Sequence, residues 1–171
     1  QDLSWNVPME EMAEIIDNAI MNGYTIAWGG DVSGDGFTRS GLAIWADLDT
    51  APTAAGTDMD RWLGLSKTER QEKAKELGVN VVEKKPSQEQ RQNEFDNWTL
   101  TDDHGMVIFG IAKDQTGRKY YMVKNSWGEA GAYKGIWYAS YNFVKGKTMN
   151  IVLHRSALPD DIAKKLGIKN K

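Results

Sequence analysis

The chain carries two histidines, His104 and His154, and only the first has a partner of matching chemistry. Asn125 lies downstream of it, beyond two apolar stretches, Met106 to Ala112 and Lys119 to Lys124, that flank the polar segment Lys113-Asp114-Gln115-Thr116-Gly117-Arg118. The stretches read as strands and the polar segment as their turn. If the turn centres near Gln115, antiparallel pairing brings His104 and Asn125 face to face at the open end of the hairpin. An imidazole serves as base for a nucleophile only when its other nitrogen is held in one tautomer and one direction, and a carboxamide oxygen does this without adding charge. Trp127, two residues past Asn125, can screen that hydrogen bond from water and strengthen it.

Other chemistry-bearing residues lead less far. Asp102 and Asp103, just before His104, read as a solvated strand start, and the second is a candidate substrate contact that can tune an imidazolium by its charge. Asp31-Val32-Ser33-Gly34-Asp35-Gly36 has the spacing of a calcium loop, but position twelve is Leu42 where a bidentate Glu is required, so a Gly/Asp turn is expected and no metal. His154 ends a strand beside Arg155 and is expected to be structural. Trp45, Trp62 and Trp98 have no chemical partner. They are read as packing residues, with a noncatalytic aromatic surface for sugars or peptides as the alternative.

These groups need elements to hold them. Pro8 followed by Met9, Met12, Ala13, Ile15, Ile16, Ala19 and Ile20, with Gly23 beyond, predicts an amphipathic helix. Tyr24 to Trp28 predicts a buried strand stopping at Gly29-Gly30. Residues 31–60 read as loop with one apolar patch at Leu42 to Trp45. Two charged helices follow, opened by capping boxes at Ser66/Glu69 and Ser87/Gln90, the first ending at Gly78 and the second near Asn97, with Phe95 and Trp98 as expected anchors. Thr148 to His154 predicts a last strand, and Pro159 to Gly167 a short closing helix.

Composition bounds the function class. The chain has 171 residues, 40% hydrophobic content and seven Trp, enough for one domain with a sizeable core. A formal charge of −3 with dispersed basic residues offers no footprint for nucleic acid. No apolar run reaches the ~18–20 residues that span a bilayer. There is no Cys, which removes disulfides and thiolate metal sites from this polypeptide, along with any thiol nucleophile of its own.

Asp103-His104-Gly105 and Tyr121-Met122-Val123-Lys124-Asn125-Ser126-Trp127-Gly128 resemble the His and Asn segments of papain-like cysteine peptidases. Val7 to Met12 leading into Trp28 to Ser33, Arg91 to Asp103, Lys147 to Val152 and Leu158 to Asp161 resemble the bleomycin hydrolase and aminopeptidase C branch. The resemblance covers nearly the whole chain and is weakest from Thr50 to Leu65.

What it implies is an α+β papain-like fold, residues 1–171 supplying mainly the β-rich right-hand lobe with peripheral helices. His104 would be general base and acid, Asn125 its orienter, and Trp127 the shield of the pair and part of the leaving-group side of the cleft. The reaction would be peptide hydrolysis by a Cys-His-Asn mechanism, without a cofactor. The family's Cys opens a helix of the other lobe, and a Gln shortly before it donates to the oxyanion. Both are expected in a missing N-terminal half, which makes this chain a fragment, inactive alone, with one chain of a processed two-chain enzyme and an inactive peptidase homologue as the alternatives; an exposed apolar patch is expected that self-associates or binds the missing half. The branch also implies peptide substrates, hexameric assembly and a cytoplasmic location.

Overall fold

The computed structural model describes residues 4–34, 36–47 and 81–169. In chain order these form α1 (Met9–Met21), β1 (Ile26–Gly30), β2 (Leu42–Ala43), α2 (Gln88–Asp96), β3 (His104–Lys113), β4 (Lys119–Lys124), β5 (Ile136–Ser140), α3 (Tyr141–Lys147), β6 (Thr148–Val152), a 3-10 turn (Arg155–Ala157) and α4 (Asp160–Lys165). The expected helix opened by Ser66, together with Trp62, lies outside the described residues.

The six strands form one sheet in the order β2-β5-β4-β3-β1-β6. Every pairing is antiparallel except β2 with β5. β3 and β4 form the expected hairpin, with Val107 opposite Lys124, Ile108 opposite Val123, and a bulge between Ile108 and Gly110. The turn closes around Asp114, whose carboxylate accepts from the amides of Thr116 and Arg118. Gly117 takes the positive φ there.

One face of the sheet carries the core. α1 lays Met12, Ile16 and Ala19 against Ile26, Trp28, Met106, Ile108, Tyr121 and Val123, a periodicity of 3.6 meeting one of 2. Ile16, Ile26 and Ile108 are fully buried, each contributing about 1.5–3 kcal/mol relative to exposure. The tryptophans Trp28, Trp45 and Trp137 are core residues too. The opposite face is open at Val107, Phe109 and Val152, which are exposed among the described residues.

Three expectations are corrected. β1 does not stop at Gly29-Gly30 but runs through both glycines, because their backbones pair with Gly105 and His104 of β3. β5 and α3 fill a stretch with no assigned element. Ile136 to Ala139 has the apolar and aromatic composition of a strand, and Ser140 caps α3 by accepting from Phe143 N–H. Finally, α2 begins as expected, its Ser87 hydroxyl accepting from Gln90 N–H, but Phe95 and Trp98 do not anchor it. Both are exposed, and Trp98 adopts φ 63°. Arg91 holds the helix instead, donating to the carbonyls of Lys145, Gly146 and Thr148 at the end of α3. Burial lowers the pKa of this guanidinium, against the pull of Glu94.

Candidate active site

His104 opens β3 opposite Gly30 of β1, and Asn125 directly follows β4. Their side chains meet, with Nε2 of His104 2.8 Å from Oδ1 of Asn125. The backbone on the Asn side is fixed by Gly135, whose carbonyl accepts from Asn125 N–H. Gly135 has φ +81°, and a Cβ there would stand 1.9 Å from the Gly128 carbonyl oxygen, so glycine is required.

The tautomer follows from a second bond. Ser126 N–H donates to the same Asn125 Oδ1 at 2.7 Å, and a main-chain amide can only donate. The atom facing it must therefore be the carboxamide oxygen, and the imidazole nitrogen facing that oxygen must carry its proton. Nε2 is the protonated nitrogen, which leaves the lone pair of a neutral ring on Nδ1. Among the described residues Nδ1 has no hydrogen-bond partner. Asn125 itself is 2% exposed, and among the described residues its buried Nδ2 has no partner, at a cost of about 1–3 kcal/mol set against the fixed direction of the oxygen.

Trp127 packs against the imidazole. Its ring centre is 5.0 Å from that of His104 at 40°, and edge-on contacts to Phe37 and Trp137 hold the indole in place. It remains 46% exposed, so one part shields the imidazole while another faces solvent. Phe37 and Trp137 had no assigned role in the sequence. The Trp137 signal lay in an apolar stretch whose strand went unread.

Asp103 is engaged with the loop after β1. Its carboxylate accepts from Val32 N–H at 3.0 Å and Ser33 N–H at 3.2 Å. Desolvation alone would raise its pKa, but these bonds and the Thr101 hydroxyl hold it below the usual carboxylate value. Asp31 is 2% exposed, and its Oδ1 caps its own turn through Ser33 and Gly34. Its other oxygen faces the Lys147 ammonium at 4.0 Å. The carboxylate that would begin a calcium loop is thus used internally. His154 stacks on Tyr24 and accepts from Ser156 N–H, a structural role.

On the open face of the sheet, beside the pair, lies a cleft of about 600 Å³. Its floor is Ala27, Gly29 and Gly105, and its polar rim includes Asp102, Lys124, Ser126 and Asn150.

A family model described as "Peptidase C1-like family" matches residues 39–170. Among curated proteins, Aminopeptidase G of Lactobacillus delbrueckii subsp. lactis is 25% identical over 91% of this chain and 29% of its own length. Aminopeptidase C of the same organism is 24% identical over 93% of this chain and 29% of its own. The chain therefore spans under a third of the curated relatives it matches. Among solved structures, PepW of Lactobacillus rhamnosis HN001 superposes with a TM-score of 0.58 at 18% identity, covering 94% of this chain and 30% of that one. The α+β fold is the papain-like one.

Proposed function

The chain belongs to the Peptidase C1-like family, and on that premise we propose that it supplies the base and its orienter to a cysteine peptidase acting at peptide amino termini. The observation that carries this reading is the 2.8 Å contact between His104 and Asn125, with Ser126 N–H defining which nitrogen keeps the lone pair.

The chemistry follows from that geometry. With Nε2–H committed to Asn125, Nδ1 of His104 takes the proton of a thiol and becomes an imidazolium; a neutral carboxamide orients the ring without cancelling its charge. The thiolate attacks the scissile carbonyl, and the imidazolium then returns its proton to the leaving amine, giving a thioester that water hydrolyses. Trp127 keeps bulk water off the His–Asn bond and lines the leaving-group side. Since these residues include no Cys, the thiol comes from another segment of the protein. The open face carrying Val107 and Phe109 is the surface against which such a segment packs.

The printed names of the relatives, aminopeptidase C and aminopeptidase G, support amino-terminal peptides as the substrate class. The test is to assay the full-length protein against aminoacyl and dipeptidyl amides, with and without a thiol alkylator, and to repeat it with His104→Ala. Turnover that survives alkylation, or that survives loss of the imidazole, contradicts the reading.

A further inference from the structure

One lysine lies in the interior and takes no part in the chemistry derived above. Lys147 ends α3 and is 6% exposed, buried by the described residues themselves. A lysine is rarely buried unless its charge is met. Here the ammonium stands 3.5 Å from Glu94 Oε2 of α2, 4.0 Å from Asp31 Oδ2 and 4.6 Å from the centre of the Trp45 indole. The main chain of Lys147 meets Asp31 as well, its carbonyl accepting from Asp31 N–H at 2.9 Å.

Asp31 in turn builds the bend after β1. Its Oδ1 accepts from Ser33 N–H, the Ser33 hydroxyl and Gly34 N–H, each at 3.1 Å. The same Ser33 N–H also donates to Asp103 Oδ2 at 3.2 Å, and Val32 N–H donates to Asp103 Oδ1 at 3.0 Å. Two carboxylates therefore converge on one main-chain amide, and the second belongs to the residue directly before His104. Like charges so placed repel, and Asp31, at 2% exposure, is poorly screened by water. Lys147 meets its charge on the other oxygen, Oδ2.

A buried ion pair contributes little net stability, because desolvating both ions offsets their attraction. What this one fixes is where the two carboxylates sit. The route from them to the imidazole is short: Asp103 N–H donates to the Gly30 carbonyl at 3.4 Å, and Gly30 lies opposite His104 in the ladder. Any shift of Asp103 passes directly along the backbone to His104, whose Nε2 must stay within hydrogen-bond distance of Asn125.

We infer that Lys147 is a positioning residue for the reaction: by neutralising Asp31 it lets Asp31 and Asp103 share the Ser33 amide, and that arrangement holds His104 against Asn125. The assignment rests on the peptidase reading above, and Lys147 acts through Asp31 and Asp103 without touching substrate.

The test uses the full-length protein on aminoacyl amides, with kcat, KM and Tm measured for each variant and the kinetics run below every unfolding transition. Lys147→Gln, which keeps a donor but no charge, should lower kcat by about ten-fold or more, with KM changed by less than about two-fold. Lys147→Arg restores the charge and should recover most of that loss. Asp31→Asn combined with Lys147→Gln should recover it too, since a carboxamide oxygen still accepts from the bend and Asp31 no longer has a charge to be met. Glu94→Gln removes the lysine's partner on α2 and should lower Tm with kcat at the wild-type value. Should Lys147→Gln not fold, the double variant decides: kcat near wild type supports the assignment, and a loss of about ten-fold overturns it. Wild-type kcat in folded Lys147→Gln, or an equal loss in Glu94→Gln, also overturns it and leaves the peptidase reading standing. A wild-type protein that cleaves no aminoacyl amide overturns both.

Discussion

The indole of Trp127 lies with its centre 5.0 Å from that of the His104 imidazole, close enough to exclude water from one side of the ring. Removing it should expose the His104–Asn125 bond to solvent competition. In the full-length protein Trp127→Ala is expected to lower kcat by about ten-fold, and Asn125→Ala by about 10²-fold, within the range typical of acid–base groups. Steady-state kinetics checks both, and the order Asn125 above Trp127 is the outcome that matters.

Gly135 sets the position of Asn125 from behind. Gly135→Ala combines a left-handed backbone with a Cβ 1.9 Å from the Gly128 oxygen. Backbone strain alone costs about 1–3 kcal/mol, and the clash adds to it. Thermal unfolding should show a large drop in Tm, whereas Gly117→Ala, also at positive φ but with nothing within 4 Å, should show a smaller one.

Arg91 makes three bonds to carbonyls that end α3. Lysine has the charge but not the planar fork, so Arg91→Lys should lose at least one of them. The expected cost is about 1–3 kcal/mol for an unsatisfied buried acceptor, read from urea unfolding midpoints.

Two carboxylates give opposite pH dependences in adjacent windows. Burial raises the pKa of Glu83 above its ordinary 4.5, against the lowering effects of Ser140 and Arg118. A carboxyl whose pKa is raised on folding contributes stability below its unfolded value and loses it as pH rises through the folded one. Wild type should therefore gain stability as pH falls from neutral toward about 4.5, and Glu83→Gln should flatten that gain. Asp103 behaves in the opposite sense: its pKa is depressed on folding, so its contribution is present above 3.8 and lost as pH falls below that value. Asp103→Asn should be less stable than wild type at neutral pH and converge with it in strong acid. Tm measured against pH for the three proteins separates the two effects.

The β3–β4 hairpin was legible in the sequence because every determinant was local: two strand-like runs, a turn with Asp114 and Gly117, and a fixed spacing from His104 to Asn125. α1 was legible for the same reason, since its apolar stripe carries its own period. Phe95 and Trp98 misled because an aromatic near a helix end looks like an anchor until the neighbouring surface is known; the anchor was Arg91, whose three acceptors lie over fifty residues away. Gly29-Gly30 misled because glycine reads as a stop, whereas here the absence of side chains lets Asn150 and the Lys147 carbonyl approach the strand.

Residue type and spacing by themselves determined that an imidazole and a carboxamide would meet at a hairpin's open end, because a two-stranded ladder fixes its own register. Which imidazole nitrogen keeps the lone pair and where Trp127 rests were decided only by the tertiary structure. The first depends on Ser126 and Gly135 around Asn125, the second on Phe37 and Trp137 against the indole. Electrostatics and packing act through space, and the chain order does not state those distances.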